Sequence, residues 1–146
     1  MLMETLAVID FETTGSAPGQ GARATEIAAV LVQNGRVVDR FQTLMNSGAW
    51  VPPFIEQLTG ISNAMLRDAP PAAQVMREVL AFTQGCALVA HNASFDRAFW
   101  GHGPPQCKDL ANRRIMAGQG PQSDCPVSTP SQENWHDPIE RQRPGA

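Results

Sequence analysis

Two carboxylates, Asp10 and Glu12, flank Phe11 at the end of an otherwise apolar run beginning at Leu6. In an extended strand, alternation puts both acids on one face and Phe11 on the other. Acids held together at a buried strand end repel each other and lose hydration. Such a pair calls for a compensating charge, most simply a hard divalent cation with oxygen ligands. The competing reading is a solvated strand terminus. A third acid, Asp96, follows a second apolar run, Ala87 to Ala90. It reaches the pair only if the two strands are parallel neighbours. Taken alone, an acid in the first turn of a helix more often serves as a favourable charge at the positive helix end.

The elements that must position these acids are legible in the spacing. Leu6 to Asp10 reads as a buried strand and Thr25 to Gln33 as a second, rich in Ile, Val and Leu. Asn34-Gly35 is a hairpin signal, so Val37 to Met45 is expected to return antiparallel. Pro52 and Pro53 stop the sheet and open a short helix through Phe54, Ile55 and Leu58, closed by Gly60. A longer helix follows Pro70 and Pro71, with Val75, Val79, Leu80 and Phe82 at helical spacing and Gly85 at its end. Ala87 to Ala90 is then a strand parallel to the first, because a helix connects them. Ser94 is the expected N-cap of a last helix carrying Asp96, Phe99 and Trp100. The expected fold class is α/β, a mixed sheet of three antiparallel strands and then a parallel one.

These motifs together resemble a family. Val8-Ile9-Asp10-Phe11-Glu12-Thr13-Thr14-Gly15 is similar to the first motif of the DEDD exonucleases, which include the proofreading epsilon subunit of bacterial DNA polymerase III. Val89-Ala90-His91-Asn92-Ala93-Ser94-Phe95-Asp96 resembles the second motif. Leu58-Thr59-Gly60-Ile61-Ser62 resembles the intervening segment that packs on the terminal nucleotide. The resemblance covers residues 5 to about 100. It implies a ribonuclease H-like fold and hydrolysis of nucleotides from a 3′ end with two divalent cations, Mg²⁺ or Mn²⁺. Asp10 is then implied to bridge both cations, Glu12 to bind one, and Asp96 to act on the second through water. Thr13, Thr14 and Gly15 are implied to contact the terminal sugar, Leu58 to press on the last base, and His91 and Asn92 to shape the floor of the site. For His91 a structural histidine hydrogen-bonded in a loop is the competing reading, and for Leu58 ordinary core packing.

The pattern departs from the family in one respect. The family's third motif supplies a fourth Asp and a general base, Tyr four residues before it or His five before it. This chain contains no tyrosine and three histidines. His102 is followed five residues on by Cys107 and His136 by Arg141, while His91 and Asp96 already belong to the second motif. The sequence therefore reads as a C-terminally truncated domain, residues 1–100, with residues 101–146 a low-complexity, disordered or frame-shifted tail. Leu, Ile, Val and Phe number 27 in the first hundred residues and four thereafter, while seven of the twelve prolines fall in the last 46. Such a segment cannot repay its ordering entropy by burial, and the core is expected from the first hundred residues. A change of reading frame or a gene-model error soon after Trp100 is the expected explanation of both the missing motif and the composition.

Composition bounds the rest. The 146 residues carry a formal net charge of -3, which weighs against a protein that coats duplex nucleic acid. Three cysteines without CxxC spacing give no disulfide framework, and a reducing cytoplasm fits. No leader pattern or membrane-length apolar run is present. The partner that the resemblance implies is a single-stranded nucleic-acid 3′ end, with a polymerase subunit as a further candidate by the same analogy. A catalytically inactive module that grips such an end is the alternative function.

Overall fold

The computed structural model describes residues 4–101 and 115–117. Three long strands, β1 (Thr5–Thr13), β2 (Ala24–Gln33) and β3 (Arg36–Leu44), run as an antiparallel meander. The β2–β3 turn is built at Asn34 and Gly35, whose φ values of 52° and 72° are those of a type I′ hairpin. Helices α1 (Pro53–Thr59), α2 (Asn63–Arg67) and α3 (Ala72–Phe82) then carry the chain to β4 (Ala87–Ala90), which pairs parallel to β1. Helix α4 (Ala93–Trp100) follows, and β5 (Ile115–Ala117) pairs parallel to β4. The sheet order is β3-β2-β1-β4-β5. This is the mixed ribonuclease H-like sheet expected from the sequence.

Strand alternation divides the sheet into two faces. Ala7, Ile9 and Phe11 of β1, Ile27 and Ala29 of β2, Leu88 and Ala90 of β4 and Ile115 of β5 point into one core. Val75, Met76 and Val79 of α3 and Phe99 and Trp100 of α4 close it. Phe11 packs against Phe99 and Trp100 with ring centroids 6.4 and 6.3 Å away. The opposite face carries Asp10 and Glu12. A smaller cluster, Val51, Ile55, Ile61 and Leu66, packs beneath α1 and α2 against Leu44.

Several elements differ from the sequence expectations. β1 runs to Thr13 instead of stopping at Asp10, because β2 continues to pair with it through Glu12 opposite Glu26. Helix α2 was not expected; a five-residue helix has too little periodicity to register, and Ser62 starts it by accepting from the Met65 amide at 3.1 Å. Helix α4 is capped by Asn92 and not Ser94. The Asn92 carbonyl accepts from the amides of Phe95 and Asp96 at 3.0 and 3.1 Å, while the Ser94 hydroxyl donates to Asn92 Oδ1. The core also reaches past the first hundred residues, since Ile115 is 1% exposed. The remaining expectations for residues 102–114 and 118–146 lie outside the described residues.

Candidate active site

β4 ends at Ala90, with only His91 and Asn92 between it and α4. Val8 pairs with Val89, so continuing the parallel register sets Asp10 opposite His91 and Phe11 opposite Asn92, where no strand remains. The Phe11 amide is left without a ladder partner on that side, and Asp96 Oδ1 accepts its hydrogen at 3.2 Å. That bond brings the third acid to the strand bearing the other two. The three lie at the carboxyl end of the parallel strand pair, where open α/β sheets expose their loops.

Asp10 is exposed, Glu12 half-buried and Asp96 2% exposed. Desolvation, only partial at Asp10, raises all three carboxyls above the ordinary range. For Asp96 burial and then the Asp10 charge drive the pKa up to about 6, opposed by the Phe11 and Asp96 amides and by His91. For Glu12, burial is followed by the charges of Asp10 and Glu26. For Asp10, burial is opposed by His91 and the Phe11 amide. None of the three forms an ion pair among the described residues. A hard cation suits this set, since every donor is a carboxylate oxygen and each added positive charge relieves both repulsion and desolvation. Among the described residues no group of three or more His, Cys, Asp or Glu side chains stands close enough to hold a metal ion as placed, and one Asp96 oxygen is turned to the Phe11 amide.

The other sequence candidates take varied positions. Thr13 and Thr14 are buried. The Thr13 hydroxyl donates to the Gly15 carbonyl at 2.7 Å, and Thr14 Oγ1 accepts from the Arg23 amide at 3.0 Å. The loop is thereby tied to β2, and Gly15 fits because a Cβ there would meet Ala22 Cβ at 3.3 Å. His91 and Asn92 are exposed at the end of β4. His91 makes no side-chain hydrogen bond among the described residues. Leu58 is 78% exposed and does not pack in the core. A cavity of about 360 Å³ whose lining includes Phe11, Met45, Met76 and Phe99 contains none of the candidate residues. Sequence reasoning missed the Phe11 amide, a backbone group that carries no residue-type signal, and Glu26, whose position opposite Glu12 requires the strand register.

A mixed sheet in this order, with acids from the first strand and from the helix after the fourth meeting at one end, defines a ribonuclease H-like nuclease domain. A family model described as exonuclease, RNase T, matches residues 7–113. The chain belongs to this exonuclease family. It is 43% identical over 99 residues to the 3′-5′ exonuclease DinG of Bacillus subtilis, covering 68% of this chain and 11% of that protein. It is 44% identical over 97 residues to a DNA polymerase III subunit epsilon-like protein of Rhodobacter capsulatus, covering 65% and 14%. Among solved structures, exonuclease X in complex with 5′ overhanging duplex DNA is 32% identical with a TM-score of 0.54, covering 68% of this chain and 55% of that one. Exonuclease I, 15% identical at a TM-score of 0.64, shares the fold. No helix among the described residues is long and apolar enough to cross a membrane.

Proposed function

We propose that the chain binds the 3′ end of a single-stranded nucleic acid and hydrolyses its terminal phosphodiester, with Asp10, Glu12 and Asp96 holding divalent cations, Mg²⁺ or Mn²⁺. The observation that carries this reading is the meeting of Asp96 with the Asp10–Glu12 strand through the Phe11 amide, within a chain of the exonuclease family. When bound, such cations supply water activation and charge neutralisation at the phosphate. Asp96 orients its carboxylate by the Phe11 bond, and the electrostatic influence of His91 opposes the upward shifts of Asp10 and Asp96. The Thr13–Gly15 loop, braced by Arg23, offers its surface to the terminal sugar, Leu58 meets the last base, and Asn92 fixes the start of α4. The names of the relatives favour DNA as the strand and a polymerase subunit as a partner.

The sequence lacks the third-motif base, so hydrolysis by this chain is expected to be about 10²- to 10⁴-fold slower than with a positioned base. The same lack favours a second reading, a strand-end binding module without hydrolysis. Digestion of a labelled single strand with Mg²⁺ or Mn²⁺, compared with Asp10→Ala, separates the two. Release of mononucleotides that disappears in Asp10→Ala establishes the hydrolase. Folded protein that binds the strand and releases nothing establishes the module.

A further inference from the structure

The cavity that Phe11 and Phe99 line is held open by braced walls. Asn46 ties the end of β3 to the start of α3. Its amide donates to the Pro70 carbonyl at 2.7 Å, its carbonyl accepts from the Ala72 amide at 2.9 Å, and its Oδ1 accepts from the Gly48 amide at 3.0 Å. Arg23 fastens the loop after β1. Its Nη1 donates to the Pro18 and Ala22 carbonyls at 3.1 and 2.8 Å, and its amide donates to Thr14 Oγ1 at 3.0 Å. An apolar space of about 360 Å³ between such walls resists collapse, and its lining forgoes the contacts that a filled core would make. The volume falls in the range of small-molecule pockets.

Two polar features interrupt the apolar lining. Ser47 Oγ is buried without a hydrogen-bond partner, a cost that an occupant bonding it would remove. Arg23 is the only charged residue of the lining, and its Nε and Nη2 have no partner among the described residues. Strand register brings the two together. Glu26 pairs with Leu44, and the Met45 amide donates to the Thr25 carbonyl, so continuing that register sets Arg23 opposite Ser47. One acceptor group can therefore serve both. A negative acceptor suits them best, since the guanidinium is cationic and no acid lines the cavity. Water alone would answer Ser47 but leave Phe11, Met45, Met76 and Phe99 against solvent. An apolar body joined to an anionic acceptor answers every part of the lining.

We infer that this cavity is a binding site for a small organic acid, a ring system carrying one carboxylate. The rings lie among Phe11, Met76 and Phe99, and the carboxylate accepts from the Ser47 hydroxyl and the Arg23 guanidinium. No candidate acid lines the cavity, so its occupation does not depend on hydrolysis. The test is calorimetric titration of 2-naphthoate into the full chain, with uncharged 2-naphthamide alongside. Naphthoate is expected to bind about 5- to 10-fold more tightly than the amide, and Arg23→Gln to remove that difference. Ser47→Ala should weaken naphthoate about 3- to 10-fold, while the ligand-free chain melts at or above the wild-type temperature because a buried unpaired hydroxyl is gone. Ala73 lines the cavity at the start of α3. Ala73→Leu fills the space with a good helix former and is expected to abolish binding without lowering the melting temperature. No heat at millimolar naphthoate, equal affinity for acid and amide, or wild-type affinity in Ala73→Leu overturns the inference. Binding that survives both Ser47→Ala and Arg23→Gln unchanged also overturns it, and assigns the ligand to another surface.

Discussion

The main-chain amide of Phe11 donates to Oδ1 of Asp96 at 3.2 Å, joining residues 85 positions apart. The bond fills the ladder position that β4 vacates and fixes the first turn of α4 to β1. Asp96→Asn retains an acceptor for that amide and removes a buried charge. It is expected to melt at or above the wild-type temperature at neutral pH without metal, while losing at least about 10²-fold in any hydrolysis. Asp96→Ala leaves the amide unsatisfied and should cost about 1–3 kcal/mol in chemical denaturation. Equal destabilisation by Asn and Ala would disprove the role of this bond.

Stability should depend on pH in an unusual direction. Asp96 has a pKa of about 6 in the folded chain against an ordinary 3.8, so between those values the folded state holds more protons than the unfolded one. Metal-free stability therefore falls as pH rises from about 4 to about 6, by on the order of 2–3 kcal/mol, and stays low above. Asp10 and Glu12 shift the same way and add to it. Thermal melts should show the metal-free chain weaker at pH 7.5 than at pH 5, with Mg²⁺ raising the midpoint at pH 7.5 and little at pH 5. A midpoint that rises with pH would contradict the raised pKa of Asp96.

β5 is short but tied in. Ile115 is 1% exposed, and Arg97 donates to its carbonyl at 2.9 Å. Ile115→Ala is expected to lose about 2–5 kcal/mol and Arg97→Ala about 1 kcal/mol, both measured by urea unfolding. Silence at Ile115 would mean that the strand adds nothing to the core.

Gly60 ends α1 at φ 74°, a conformation that disfavours a Cβ. Gly60→Ala should lower stability by about 1–2 kcal/mol, and weaken binding of a single strand by disturbing the helix end that carries Leu58. A variant with unchanged melting and unchanged affinity would separate this turn from the site.

Much of this molecule follows from local rules. Alternation alone put Asp10 and Glu12 on one face and Phe11 in the core, because the period of two is covalent geometry. Asn34-Gly35 specified its hairpin, since both residues accept positive φ. Other features depended on partners distant in sequence. Asp96 became a neighbour of Asp10 only because β4 lies parallel to β1 and stops before Phe11, leaving an amide to satisfy. Leu58, equally plausible as a core residue, is exposed because Ile55 took the inward side of α1. β5 exists where three residues meet the open edge of β4 and the Arg97 guanidinium, which no window of sequence around Ile115 contains. Burial and hydrogen bonding are properties of pairs, so the faces were set by the chain itself and their meeting by the fold.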